Sequence, residues 1–510
     1  MKKLLKLLFS RLVLVIFLLL IEAALLVLMV LKFEEYFIYF YAVCVGLSLI
    51  CTVRIINDRS NPGYKIAWLV PVLLIPVFGV LCYLLFGGSK LSKFTKRRMA
   101  QTHSQTVRFL DQNSPVLSQI GACSRTAQLH SNYLQRYAYC PPYQNTRSVY
   151  FSCGEEKFEA LKRELAAARY YIFLEYFIIE EGLMWGEIFD ILKQKAAEGV
   201  DVRLIYDDMG CIRTLPYHFD RKVENSGVQC RVFNPFVPVL TSKLNNRDHR
   251  KICVIDGHTG FTGGINLADE YINAYEKHGH WKDSAVMLKG DAVWTLTVLF
   301  LSMWDYINGT TTDYSAFAPR VHAVAEPSDG FVQPYADSPL DFETVGENVY
   351  LNMINRAQHY IYITTPYLII DNEMVTALCN AAKSGVVVKI ITPHIADKRI
   401  VYAVTQAYYP VLVEAGVEIY EYTPGFIHAK NVVVDGEYAT VGTINFDYRS
   451  LYLHFECGCY FYHSSCIADI ERDYQQTLAV SRQVTKEDCR GRSWIKRTVG
   501  AILKIFAPLM

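Results

Sequence analysis

An excess of charge of either sign is missing from this chain. Its 510 residues carry 51 Lys and Arg against 50 Asp and Glu, a formal net charge of +1, so the global electrostatic signature of a nucleic-acid binder is absent. Ordered cysteine spacing is missing as well. The 14 cysteines are scattered along a long chain, some within apolar runs, which excludes a small disulfide-stapled scaffold and fits buried thiols in a reducing compartment. Cys457-Gly-Cys459 has no second pair of similar spacing, and His278 and His280 lack carboxylate–histidine spacing, so no metal site and no cofactor is assigned. No Ala-x-Ala cleavage pattern follows the first apolar run, and that run is too long for a signal peptide, so a retained anchor is expected.

What the chain has in abundance is apolar surface, 52% of its residues, more than the usual soluble average. The excess lies at the start, in runs over 12–31, 37–53 and 66–86, each close to the roughly 20 residues that cross a bilayer core. Two or three membrane passes are expected within residues 1–90. Glu22 sits inside the first run, where a carboxylate is costly. Pro71, Pro76 and Gly79 weaken the third run as a straight helix and allow a kinked or re-entrant segment. Lys90, Lys93, Lys96, Arg97 and Arg98 open a basic juxtamembrane linker over 91–145 that suits anionic headgroups. They favour a cytoplasmic position for the region that follows, in a multi-pass cell-membrane protein.

Beyond the linker the chain runs through one pattern twice. Ala168 to Ile179 matches Ala357 to Ile370, a helix end leading into an apolar, β-branched strand, and Leu192 to Tyr206 matches Leu378 to Thr392, a helix, a Gly stop at Gly199 or Gly385, and a second strand. Strand, helix, strand predicts a duplicated α/β fold with a largely parallel sheet in each half, the halves spanning 146–325 and 326–490. The first half has a loop seven residues longer before its motif. That loop holds Pro216, Pro235 and Pro238 and is a candidate rim for a substrate groove.

Each repeat ends in the same motif. His249-x-Lys251 with Asp256 recurs as His428-x-Lys430 with Asp435, followed at matching distance by Gly263, Gly264 and Asn266, or by Gly442, Thr443 and Asn445. Alternate residues of a strand share a face, so each His and Lys project together. Asp256 and Asp435 stand seven residues on, too far along a strand to reach the same phosphate. With the glycines that follow them they read as hairpin turns, so the aspartates anchor hairpins more than they perform chemistry. The return strands bring Asn266 beside His249 and Asn445 beside His428, and the small residues would let a substrate approach the backbone closely. Two such sets suit one phosphodiester: one neutral imidazole attacks phosphorus, the other, protonated, serves the leaving alkoxide, and the Lys and Asn groups stabilise the phosphorane. A bell-shaped pH profile follows.

These residues resemble the phospholipase D superfamily, whose signature is HxKxxxxD twice, and more closely the bacterial cardiolipin synthases. Gly442-Thr443-Ile-Asn445-Phe-Asp447-Tyr-Arg449-Ser450, Trp281-Lys-Asp283, and Asn61-Pro62 ahead of Tyr83-Leu-Leu-Phe-Gly87 are similar to that family's segments. The resemblance implies phosphatidyl transfer from one phosphatidylglycerol to another through a phosphohistidine, giving cardiolipin and glycerol. By analogy His249 is the nucleophile and His428 the general acid, although the roles can be exchanged. It also implies that Glu456 orients His249 and Asp283 orients His428. One departure is His454, where the family usually has Asn. Residues 491–510 place apolar and basic side chains at helical spacing, which suits either a membrane surface or a packing helix. The alternatives are hydrolysis or transfer to another alcohol by the same residues, a nuclease of the superfamily, or an inactive membrane scaffold. Membrane runs and near-neutral charge favour lipid over nucleic acid as partner.

Overall fold

The computed structural model describes residues 37–87, 104–110, 115–235, 246–319, 329–341 and 343–509, with a few single positions besides. The chain forms two compact units, one of residues 1–90 with 234–246, the other of 91–233 with 247–508. In the larger unit the apolar runs become strands: β1 Thr146–Phe151, β2 Tyr171–Tyr176, β3 Asp201–Asp207, β4 Gln229–Phe233, β5 Arg247–Asp248, β6 Ile252–Ile255, β7 Thr259–Gly263, β8 His280–Lys282 and β9 Ala285–Gly290. The second half repeats them as β10 Phe331–Asp337, β11 Tyr360–Thr364, β12 Leu368–Ile369, β13 Val387–Pro393, β14 Glu418–Tyr422, β15 Gly425–Ile427, β16 Asn431–Val434, β17 Tyr438–Gly442, β18 Phe446–Asp447, β19 His454–Tyr462 and β20 Ser481–Val484.

The two main sheets have the same strand order, β1-β9-β7-β6-β2-β3-β4 and β10-β19-β17-β16-β11-β13-β14, with β20 added at the second edge. The duplication read from the sequence is therefore a duplication of topology. The sheets are mixed, however, and not largely parallel. β2, β3 and β4 run parallel, as do β11, β13 and β14, but every other ladder along the two paths is antiparallel. The helical crossovers Leu183–Ala197 and Asn372–Lys383 dictate parallel pairing only for the strands they join. The motif hairpins β6–β7 and β16–β17 turn the chain back with two strands each. Gly199 and Gly385 end their helices at φ of 88° and 98°, the left-handed geometry a glycine stop supplies.

Helix Val293–Asn308 is buried on nearly every face, from Val293 through Leu296, Phe300 and Met303 to Trp304. An all-round apolar helix belongs inside a core, and this one touches both β2 and β6 of the first sheet and β10 of the second. Part of the expected linker is folded. Helix Arg125–Tyr137 docks on the second half: Ser131 Oγ donates to Gln333 Oε1 at 2.6 Å, Tyr133 to Glu343 at 2.6 Å, and His130 stacks on Tyr460 with ring centroids 4.2 Å apart.

In the smaller unit the run 37–53 lies in helix Phe37–Asn57, while the run 66–86 is divided between Pro62–Leu74 and Pro76–Phe86. Pro76 has no N–H to continue the first helix, so the expected third span breaks at Ile75 into helices of 13 and 11 residues. Ser48 Oγ donates to Val72 O at 2.8 Å, and Cys51, Ile55, Val72, Val80 and Tyr83 form the unit's core. Among the described residues no helix is long and apolar enough to cross a membrane. Most of the run 12–31, Glu22, Pro238 and most of the basic cluster 90–98 lie outside the described residues.

Candidate active site

Two short strand pairs carry each half into the other, and they place the candidate residues. β5 of the first half pairs in parallel with the start of β19, Arg247 against His454 and Asp248 against Phe455. One step further along that register sets His249 against Glu456. β15 of the second half pairs in parallel with β8, Gly425 against His280 through Ile427 against Lys282, and the next step sets His428 against Asp283. Backbone bonds continue both registers, His249 N to Phe455 O at 2.9 Å and His428 N to Lys282 O at 2.6 Å.

The side chains complete this exchange. His249 Nδ1 lies 2.9 Å from both Glu456 oxygens, and His428 Nδ1 lies 2.6 Å from Asp283 Oδ2. Glu456 and Asp283 are fully buried and the two imidazoles nearly so. A carboxylate at Nδ1 holds the proton there, which leaves the Nε2 lone pair to act on a substrate. Thr443 donates its hydroxyl to Glu456 Oε2. Its counterpart Gly264 is small for a local reason: a Cβ there would stand 2.0 Å from Asp283 Oδ1. The space left at Gly264 is thus filled by the orienting carboxylate rather than by an approaching substrate.

Lys251 and Lys430 are buried beside the histidines. Lys251 Nζ donates to His249 O at 2.6 Å, and Lys430 Nζ lies 2.8 Å from His428 Nδ1. Burial lowers the lysine pKa values to about 8 and about 7, against the opposing pull of Glu456 on Lys251 and Asp283 on Lys430. Burial, then the charges of Lys251, Lys430 and His428, hold His249 well below the ordinary imidazole value. His428 is lowered to about 4 by burial and Lys430, with Asp283 working the other way. Burial alone would raise Asp283, yet His428 and Lys430 outweigh it and keep that carboxyl low. Lys430 acts on His249 and Lys251 on His428, so the two motifs share one electrostatic space. An entering phosphodiester would add negative charge beside both lysines and favour their charged forms.

The remaining candidates are distributed differently. Asp256 accepts from the backbone N–H of Arg169, Tyr170 and Tyr171 at 2.7–2.9 Å, and Asp435 from those of Gln358, His359 and Tyr360 at 2.7–2.9 Å. Both aspartates take left-handed backbone at φ of 52°, so they close the hairpin turns and tie them to the strands alongside. Asn266 spends its amide within its own half, accepting from Ile178 N at 3.0 Å and donating to Tyr271 Oη at 2.6 Å. Asn445 Nδ2 donates to Ser450 Oγ at 3.0 Å. Neither asparagine has a hydrogen bond to a motif histidine.

Sequence reasoning missed the aromatic walls. Phe177 lies edge-on to His249 with centroids 4.9 Å apart, and Tyr271, Trp281 and Phe426 surround His428 at 5.5–5.9 Å. It marked His454 only as a departure from the family. That ring is buried 5.5 Å from His249, its Nδ1 is 3.7 Å from Glu456 Oε1, and neither nitrogen has a hydrogen-bond partner. His249, His454 and Glu456 offer ligand atoms within 4.8 Å of one another and could hold a cation. Cys457 and Cys459 are buried free thiols in β19.

The model of the family described as "Cardiolipin synthase, PLD-like domain" matches residues 161–302 and 350–478, and that described as "Phospholipase D-nuclease N-terminal" matches 46–88. The chain belongs to the cardiolipin synthase family of phospholipase D-like proteins. It is similar to a Streptococcus mutans protein without an assigned activity, 44% identical over 461 residues, 89% of this chain and 98% of the relative. It is also similar to a cardiolipin synthase of Halalkalibacterium halodurans, 33% identical over 461 residues, 90% of this chain and 91% of that one. Among solved structures, phosphatidylserine synthase of Haemophilus influenzae shares the fold, with a TM-score of 0.55 at 15% identity over 72% of this chain and 95% of that one. The family matches fall on the same two stretches that the fold duplicates.

Proposed function

We propose that the protein is a cardiolipin synthase, a phosphatidyltransferase that joins two phosphatidylglycerol molecules through a phosphohistidine. The observation that carries this reading is the exchange of carboxylates between the halves, His249 to Glu456 and His428 to Asp283. Nε2 of His249 attacks the phosphorus of one phosphatidylglycerol, and the bond from phosphorus to the glycerol oxygen breaks. His428, protonated once the anionic lipid is bound, gives its proton to that oxygen, and glycerol leaves. His428 then takes the proton of a hydroxyl on a second phosphatidylglycerol, that oxygen attacks the phosphohistidine, the P–N bond breaks, and cardiolipin departs with His249 restored. His249 is taken as nucleophile and His428 as acid by analogy with the family, each imidazole being held at Nδ1 by a carboxylate of the other half. Lys251 and Lys430 neutralise the phosphoryl oxygens.

The reading includes a membrane location. The apolar runs at 12–31 and 37–53 support two passes through the cell membrane, the run 66–86, broken at Ile75, supports a kinked or re-entrant segment, and the basic residues between Lys90 and Arg98 support a cytoplasmic position for the two catalytic halves. Purified protein incubated with labelled phosphatidylglycerol should release glycerol and form cardiolipin, and His249→Ala and His428→Ala should each abolish transfer. Phosphatidic acid as sole product would make the protein a hydrolase. Transfer that persists in both variants would exclude the mechanism.

A further inference from the structure

Helix Trp494–Phe506 is held to the protein by the side that would ordinarily face water. Gly500 lies against helix Arg399–Ala415, where a Cβ would meet that of Ala407 at 3.3 Å. The Lys504 ammonium sits 4.0 Å from the centroid of the Tyr408 ring. Just before the helix, Arg492 donates to Gln406 O with its guanidinium over Tyr409. At about 100° per residue the opposite arc carries Trp494, Ile495, Val499, Ile502 and Ile505. These are exposed by 73%, 56%, 46%, 53% and 39%. A helix that packs through a glycine and one lysine, and turns its aliphatic stripe outward, needs something else to cover that stripe.

The charge around the stripe identifies the cover. From residue 490 to the last, the basic side chains are Arg490, Arg492, Lys496, Arg497 and Lys504, with no acidic one among them. Lys496 and Arg497 are exposed next to the stripe, where their stems can reach along apolar surface while the charges meet phosphate headgroups. Trp494, at the helix start, has the amphipathic ring that settles at a bilayer boundary. A helix of 13 residues is about 20 Å long, too short to cross and long enough to lie flat. We propose that the outer face of helix Trp494–Phe506 docks the protein on the surface of an anionic lipid bilayer. The inference rests on exposure and charge and not on the transfer reaction.

The test uses the full-length protein reconstituted in phosphatidylcholine vesicles with brominated acyl chains, with and without phosphatidylglycerol. Trp494 emission is taken as the difference between the intact protein and Trp494→Phe. Trp494 is expected to be quenched, more strongly with phosphatidylglycerol present, and Lys496→Gln with Arg497→Gln should remove that lipid dependence. Ile495→Glu with Ile502→Glu should abolish quenching and reduce transfer on bilayer phosphatidylglycerol roughly tenfold, leaving the rate on dispersed short-chain phosphatidylglycerol unchanged. His249→Ala must keep the quenching, which separates failure of this inference from failure of the catalytic reading. An unquenched Trp494 would overturn the proposal. So would a double glutamate variant that changes only the oligomeric size in detergent, because a second copy would then cover the face.

Discussion

His249 and Glu456 are 207 positions apart and His428 and Asp283 are 145 apart, so each imidazole depends on a carboxylate that its own half does not contain. The lysines add a pH signature. Lys430 at about 7 and Lys251 at about 8 are charged below those values and lose their charge as pH rises through them. His249, lowered in proton affinity, must be neutral before it can attack. Plots of kcat/KM against pH, which report the free enzyme, should therefore rise from the acid side as His249 becomes neutral and fall as pH passes about 7–8. The alkaline fall in kcat should lie at higher pH, because bound phosphodiester favours the charged lysines. A profile flat across this range would contradict the roles given to the lysines and histidines. At this scale the motif was legible, since His, Lys and Asp recur at fixed spacing. The setting of His454 was not, because only the pairing of β5 with β19 brings it beside His249.

Between the residue and the whole lie the two motif hairpins. Asp256 gathers three backbone N–H groups of the segment entering β2, and Asp435 does the same at β11. Asp256→Ala should lower stability by about 1–3 kcal/mol, measured by denaturant unfolding, while the rate of the folded enzyme stays within a few-fold of the parent. Loss of the chemical step with stability intact would place Asp256 in the reaction instead. The strands were readable from apolar β-branched runs and the hairpins from their Asp-Gly turns, both local signals. Beyond those hairpins the antiparallel part of each sheet was not readable, because the pairing of β9 with β1 joins residues far apart in the chain. Helix Arg125–Tyr137 escaped notice for another reason. Its buried face includes His130, Ser131 and Gln135 beside Ala127 and Leu134, so the buried period is carried largely by polar residues and leaves little trace in hydropathy.

For the molecule as a whole, the two exchanged strand pairs mean that each repeat contributes a strand to the other, and the proposed function gives one chain one site. Full-length His249→Ala and His428→Ala proteins, purified and mixed, should not restore transfer, since each chain keeps one defective imidazole in its only site. Recovered activity, followed as cardiolipin formed, would show that halves of different chains assemble together. The duplication of the two halves was legible because the repeats align motif to motif. The reciprocal placement of Asp283 and Glu456 came only through resemblance to the family, since nothing in the spacing of either residue points across to the other half.

The most direct measurement is the stoichiometry and position of the covalent intermediate. Full-length protein mixed with phosphatidylglycerol labelled in its phosphate, quenched rapidly and digested, should carry label on one histidine per chain, in the peptide containing His249, and His249→Ala should carry none. Label on both His249 and His428 in the same chain, or undiminished label in His249→Ala, would contradict a single site built from two halves with His249 as its nucleophile.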